Sequence, residues 1–352
     1  MKYDLASIAH LDELATFDEI IDVRSPGEFA EDHIPGAINC PVLDDAQRVE
    51  VGTLYKQVSP FAAKKIGAAH VAANIARHLR DRFLERPHTW RPLIVCWRGG
   101  QRSGSMTYIF RRIGWEAQQL AGGYKTYRHL VVGTLAERPS TLRLRVICGA
   151  TGSGKSRVLQ ALARLGAQTL DLEDLACHKG SVLGARRDRP QPSQKMFESR
   201  LVSALRTLDP RQPVYVEAES RKIGSLHVPG ALIETMRAAD CVNIHASFDA
   251  RVDFLLRDYD YLPSAPGWLI ERLQTLDRLY TPDVLRRWRD RAAEGQWREL
   301  VQELLVMHYD PLYKRSQSHN YIGYRSSLTL CTDDLTPAGI DDLARRVLTA
   351  WP

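Results

Sequence analysis

Along the chain, short apolar runs alternate with longer stretches in which apolar residues recur every three or four positions, the pattern of α/β units built on parallel sheet. The pattern predicts strands over 19–24, 93–96 and 118–120, with a helix following the 93–96 strand and Ser103 as its N-cap. Further strands are expected over 143–148, 169–172, 214–217 and 241–245. From about 250 to 306 the period becomes helical and the sequence rich in arginine. The stretch 132–142, VGTLAERPSTL, holds a glycine, a proline and polar turn residues and reads as a boundary. It gives one domain over 1–133, a linker over 134–142 and a second domain over 143–352.

Composition changes this picture little. With 352 residues, 44% hydrophobic and 26% charged, the chain has the make-up of a soluble protein of two domains. The opening residues carry acids and no apolar centre, unlike a signal peptide, and no apolar run reaches the roughly 18 residues of a membrane span. A cytoplasmic protein without a membrane partner is the expectation. The six cysteines are scattered, without metal-ligand spacing, which points to one reactive thiol among inert ones. Cys148 and Cys241, in apolar strand-like runs, are expected in the core. A net charge of +6 permits a polyanionic partner and does not demand one.

Two segments carry chemistry. In LIVCWRGGQRSGSM, Cys96 ends a strand and precedes a loop of Arg98, Gly99, Gly100, Arg102 and Ser103. Glycines there let successive backbone N–H groups converge on an anion, and the following helix N-terminus favours a thiolate nucleophile. Arg102 offers a planar fork suited to an oxyanion. The second segment, Gly149-Ala-Thr151-Gly152-Ser153-Gly154-Lys155-Ser156, is a P-loop between an apolar strand and an amphipathic helix. Its amides cradle a di- or triphosphate, Lys155 neutralises it, and Ser156 is placed to hold Mg²⁺. The third strand of that domain continues into Glu217, Glu219, Ser220, Arg221 and Lys222, where an ordinary NTPase would end in an aspartate. Phosphate binding follows from this segment, whereas nucleotide hydrolysis does not. His178 in the turn HKGS, and Gln191, Gln194, Lys195 and Glu198 opening a later helix, lie in loops beyond strand ends, where α/β folds bind ligands. Arg186, Arg187 and Arg189 in a proline-containing loop are the better candidates for RNA contacts. The run Arg286, Arg287, Arg289 and Arg291 reads as a helix with Trp288 turned to the core.

The Cys96 loop, together with IIDVRSPGEF, EDHIPGAINCP and the Gly122–Tyr124 turn, resembles the rhodanese family over residues 5–130. The resemblance implies that Cys96 is catalytic and handles sulfur or selenium. Cys96 to Arg102 is C-x5-R, one residue longer than the common sulfur-carrying loop and equal to that of rhodanese-like phosphatases, although Val95 stands where those have histidine. Such a loop suits a tetrahedral anion such as selenophosphate. With VEAESRKIG, HKGS and QPSQKMFES in the same chain, the whole sequence resembles bacterial tRNA 2-selenouridine synthases. The resemblance implies a rhodanese-like domain joined to a P-loop NTPase-like domain with a helical C-terminal part. It further implies that the wobble 2-thiouridine of tRNAs for Lys, Glu and Gln is S-geranylated from geranyl diphosphate. Selenium from selenophosphate then replaces the sulfur. The partner would be tRNA and a selenophosphate supply, not DNA, and no tightly bound cofactor is expected beyond Mg²⁺. An NTP-dependent tRNA sulfurtransferase, a rhodanese-like phosphatase and a non-catalytic RNA-binding adaptor remain alternatives at this level.

Overall fold

The computed structural model describes residues 7–181, 183–261, 264, 266–313 and 320–350. Residues 1–6 and 351–352, the outer ends of the two expected domains, lie outside the described residues. The chain divides into two compact units, one running to Thr134 with Glu198–Ser203, the other Leu135–Phe197 and the chain from Ala204 onward.

The first unit holds a parallel five-stranded sheet of β1 (Ile8–Ala9), β2 (Glu19–Asp22), β3 (Ile38–Asn39), β4 (Pro92–Val95) and β5 (Gln118–Leu120), in the order β1-β5-β4-β2-β3. Every residue of β4 is buried, as a central strand covered on both faces requires. The helices are α1 (Pro26–Glu31), α2 (Asp45–Gln57), α3 (Pro60–His78), α4 (Gln101–Ile113) and α5 (Gly123–Glu137). Phe83, Trp90, Phe110 and Trp115 form an aromatic knot with neighbouring ring centroids 5.0–5.8 Å apart, fixing α4 against the sheet. Each such buried side chain contributes about 1.5–3 kcal/mol.

The residues that carried the rhodanese resemblance are joined by one buried ion pair. Arg24 forks onto Asp22, with Nη2 donating at 2.6 Å, and also donates to the Asp32 carbonyl at 2.6 Å. Its guanidinium lies 3.9 Å from the centre of the Tyr124 ring, whose hydroxyl donates to Asp32 Oδ2 at 2.7 Å. Asn39 Nδ2 donates to the carbonyls of Asp22 and Arg24, both at 3.0 Å. Breaking one member strands a buried charge, which typically costs about 3–5 kcal/mol. These motifs are therefore a frame for the cysteine loop.

The second unit has its own parallel sheet: β6 (Arg143–Gly149), β7 (Gln168–Leu170), β8 (Pro213–Glu217), β11 (Asp240–Ala246) and β12 (Leu328–Thr332), ordered β12-β11-β6-β8-β7. A hairpin of β9 (Lys222–Ile223) and β10 (Leu226–His227) stands apart. α6 (Lys155–Arg164) buries Val158, Leu159, Ala161 and Leu162, one helical face, against Ile147 and Tyr215 of the sheet. α7 (Leu172–Leu175), α8 (Gln194–Thr207), α9 (Gly230–Ala238) and α10 (Phe248–Asp258) follow. α11 (Pro266–Leu273), α12 (Pro282–Ala293) and α13 (Trp297–Leu304) pack around fully buried Trp288, and α14 (Pro337–Ala350) closes the sheet. Cys148 and Cys241 are buried, as expected.

Differences from the sequence reading have local causes. Residues expected as a linker are helical: α5 continues to Glu137 and a 3-10 turn spans Arg138–Thr141, with Pro139 at a first-turn position where its missing N–H is harmless. β1 and β3 have two residues each, too few to show any period. The N-cap of α4 is Gly100, not Ser103. Ser103 is the third helical residue and fully buried, because its hydroxyl is directed at the cysteine.

Candidate functional site

Both loops with chemistry lie at the carboxyl end of the middle strand of their sheet, where open α/β sheets bind ligands. In the first unit Cys96 follows β4 and is 3% exposed. Its sulfur accepts from the Ser103 hydroxyl at 2.9 Å and from the Gly100 N–H at 3.3 Å. The Cys96 and Trp97 carbonyls accept from the Tyr124 and Lys125 N–H groups at 2.8 and 3.0 Å, so the turn opening α5 clamps the loop. That clamp demands glycine at 123, where φ is +60° and a Cβ would stand 2.2 Å from the Cys96 carbonyl oxygen. Arg102 does not point freely into the loop. It pairs with Glu28 at 2.7 Å, which makes the loop's edge an ion pair. Burial works to raise the Glu28 pKa, but the Arg102 hydrogen bond and charge outweigh it and leave the carboxyl below its ordinary value. Arg98 and Trp97 are exposed beside the cysteine, and Trp97 gives a flat surface that sequence reasoning passed over.

Against the same helix lies an apolar cavity of about 640 Å³ between α2, α3 and α4. Val51, Ala68, Val71, Ala72 and Ile109 line it, with Gln101 and Arg102 at the loop end and Lys64 among its walls.

In the second unit the P-loop joins β6 to α6. Gly149 has φ +152°, and a Cβ there would meet the Ser153 hydroxyl at 2.4 Å. Lys155 Nζ donates to the Gly149 carbonyl at 2.8 Å, and Ser156 Oγ to Glu173 Oε2 at 3.1 Å. Arg251 braces the loop from α10, donating to the Thr151 carbonyl at 2.8 Å while held by Asp310 at 2.5 Å. Facing Lys155 and Ser156 are Glu173, Glu217 and Glu219, each offering an oxygen within 4.8 Å of the others. Burial first, and then repulsion within the group, raises the pKa of all three. Glu217 Oε1 is buried without a hydrogen-bond partner among the described residues.

These groups line a cavity of about 400 Å³ whose other wall is apolar and aromatic: Phe254, Leu255, Tyr259, Tyr309, Leu312 and Tyr313. Lys179 lies in it 4.1 Å from the Tyr259 ring centre and paired to Asp258 at 2.6 Å. Sequence reasoning missed this wall, because its residues are spread over sixty positions of helical sequence with no motif. Glu173 was masked by its acidic neighbours.

Of the other expected ligand residues, Ser220 and Arg186 line the cavity. Arg221 and Lys222 are exposed, Lys222 opening the β9–β10 hairpin, and neither borders the cavity. His178 is buried under the loop, where burial lowers its pKa. Arg186 and Arg189 both reach Asp174 at 3.4 Å, and Arg187 is exposed. Gln191 and Gln194 donate to the carbonyls of Ile223 and His227, both at 2.9 Å, bracing the hairpin. The arginines of α12 are paired: Arg286 with Asp283, Arg289 with Asp277, and Arg287 and Arg291 with Glu303. Their charge is largely spent inside the fold.

Comparison with known proteins matches both halves of the chain. Residues 7–130 match the rhodanese-like domain and residues 142–265 the tRNA 2-selenouridine synthase AAA domain. The tRNA 2-selenouridine synthase of Nitrosomonas europaea is 36% identical over 244 residues, 68% of this chain and 63% of that one. The synthase of Alcanivorax borkumensis is 36% identical over 327 residues, 84% of this chain and 88% of the relative. That of Pseudomonas syringae pv. tomato is also 36% identical, over 334 residues, covering 85% and 88%. The matched stretch thus spans just under two thirds of some relatives, such as the Nitrosomonas protein, and nearly nine tenths of others. No helix among the described residues is long and apolar enough to cross a membrane. With both domain types present in order and more than a third of residues shared across nearly the full length of such relatives, the chain belongs to the tRNA 2-selenouridine synthase family.

Proposed function

We propose that this chain converts 2-thiouridine at the wobble position of tRNA into 2-selenouridine in two steps, one at each loop. In the first step the uridine sulfur attacks C1 of geranyl diphosphate. The C1–O bond breaks, diphosphate leaves, and the N3 proton is lost. In the second, the selenium of selenophosphate attacks C2 of the S-geranylated base and geranylthiol leaves, after which water cleaves the Se–P bond and releases phosphate. The observation that carries this reading is the double character of the 400 Å³ cavity: a phosphate cradle on one side and an apolar, aromatic wall on the other. A prenyl diphosphate has that same division, and its departure needs positive charge on the leaving oxygen rather than an activated water.

The P-loop amides and Lys155 bind the diphosphate, while Phe254, Leu255 and Leu312 exclude water from the alkyl chain. Ser156 and the three glutamates fit a Mg²⁺ ion, since Glu217 Oε1 is buried with no other partner among the described residues; such an ion would neutralise the leaving diphosphate. At the other loop, the Gly100 N–H, the Ser103 hydroxyl and the start of α4 hold negative charge on or beside Cys96. Trp97 offers the base a stacking surface. The 640 Å³ groove along α4 is within the usual range of small-molecule sites, about 300–1,000 Å³, and its apolar walls suit the geranyl chain of the outgoing thiol. tRNAs for Lys, Glu and Gln are the proposed substrates.

The test is nucleoside mass spectrometry of 2-thiouridine tRNA incubated with the protein, geranyl diphosphate and selenophosphate. Selenouridine is expected. Sulfur retained with all three substrates verified would contradict the reading, and ATP turnover stimulated by tRNA would favour an NTP-dependent sulfurtransferase instead.

A further inference from the structure

The glutamate cluster has more charge than a P-loop needs. An ordinary P-loop receives Mg²⁺ already bound to its nucleotide and steadies it with a Ser or Thr and one aspartate. Here three carboxylates converge from separate segments: Glu173 on α7, Glu217 at the end of β8, and Glu219 two residues beyond. Their oxygens lie within 4.8 Å of one another. Glu217 is 3% exposed and its Oε1 has no hydrogen-bond partner among the described residues, although it belongs to the group that faces the cavity. A buried carboxylate oxygen without a hydrogen bond is costly unless a donor or a cation meets it.

We propose that Glu173, Glu217 and Glu219 form a preassembled site for a hard divalent cation, which binds before any phosphate compound enters the cavity. The order follows from charge. The triad supplies its oxygen ligands without any phosphate, and a divalent ion held there adds to the single charge of Lys155 the positive charge that attracts a diphosphate. The donors are all oxygen, which selects Mg²⁺, Mn²⁺ or Ca²⁺ over softer ions. The inference goes beyond the proposed reaction, because it concerns any phosphate-bearing ligand and stands whether or not the alkyl donor is geranyl diphosphate.

The experiment is a titration of the full chain with Mn²⁺ alone, followed by electron paramagnetic resonance of the free ion, with no phosphate compound present. Saturable binding is expected, weakened about tenfold or more in Glu217→Gln, which removes one anionic ligand. Lys155→Ala should keep its Mn²⁺ site while losing affinity for inorganic pyrophosphate. Wild-type protein should bind pyrophosphate about tenfold or more better after Mn²⁺ than before it, since the ion supplies the missing positive charge. Glu219→Gln provides a second variant should Glu217→Gln unfold, as judged by circular dichroism. Binding of Mn²⁺ only after pyrophosphate is added would overturn the proposal, as would unchanged Mn²⁺ affinity in both glutamine variants.

Discussion

The cysteine loop and the phosphate cradle share one plan, a buried middle strand, a glycine loop and a helix start, yet they treat charge in opposite ways. Around Cys96 the charges other than the exposed Arg98 are already matched inside the protein. Asp22 holds Arg24, Glu28 holds Arg102, and the sulfur takes hydrogen bonds from neutral donors. At the cradle, three acids and Lys155 face a shared cavity, and a buried carboxylate oxygen has no hydrogen-bond partner among the described residues. The first loop has the sulfur's hydrogen-bond donors already in place. The second is an incomplete electrostatic arrangement that ligands complete. Similar backbone geometry therefore carries two different electrostatic settings.

Filling the apolar groove should break the comparison most visibly. Ala72→Trp on the exposed side of α3 is expected to slow conversion of pre-geranylated RNA by about tenfold or more, the scale of a few lost apolar contacts. Geranylation at the cradle should be unchanged in the same variant. Equal loss in both steps, measured on separate synthetic RNAs, would remove the groove from the account. A smaller change is expected from Ser103→Ala. The hydroxyl donates to the sulfur at 2.9 Å, and losing a typical hydrogen bond costs about 0.5–1.5 kcal/mol. The second step should fall by about two- to tenfold. An unaltered rate of that step would show that Ser103 only packs.

The smallest effect belongs to Glu28 and Arg102. Glu28 has a folded-state pKa below its ordinary value of 4.5, so the ion pair contributes stability above that value and loses it as pH falls through the lower folded one. The difference in melting temperature between wild type and Glu28→Gln should correspond to about 1 kcal/mol or less near neutrality and shrink below about pH 4. A constant difference across that range would mean that the ion pair is not its source.

Much of this was legible in the sequence because both loops are local. Seven contiguous residues from Cys96 to Arg102, or eight from Gly149 to Ser156, contain the glycines, the reactive side chain and the helix start together. What stayed hidden depends on residues that meet only after folding. Glu173 sits in an acidic run, and only the short α7 turn carries it to Ser156. The aromatic wall joins α10 to residues near 310. Ser103 looked like a helix cap because serine favours that role, but a deeper position serves its contact with sulfur better. The pairing of Arg287, Arg289 and Arg291 of α12 was hidden because their partners, Asp277 and Glu303, lie on other segments. Arg24, a single charge in a strand-end motif, proved to be the centre of the frame that holds Tyr124 and the cysteine loop.

If the two loops perform separate steps on the same base, variants of the two should stop the reaction at different points. The most direct measurement compares wild type, Cys96→Ala and Lys155→Ala by nucleoside mass spectrometry, with 2-thiouridine RNA, geranyl diphosphate and selenophosphate supplied together. S-geranyl-2-thiouridine should accumulate in Cys96→Ala. Lys155→Ala should leave 2-thiouridine unmodified and yield selenouridine when pre-geranylated RNA is supplied. Accumulation of the geranylated nucleoside in Lys155→Ala, or no intermediate in either variant, would rule out separate steps at the two loops.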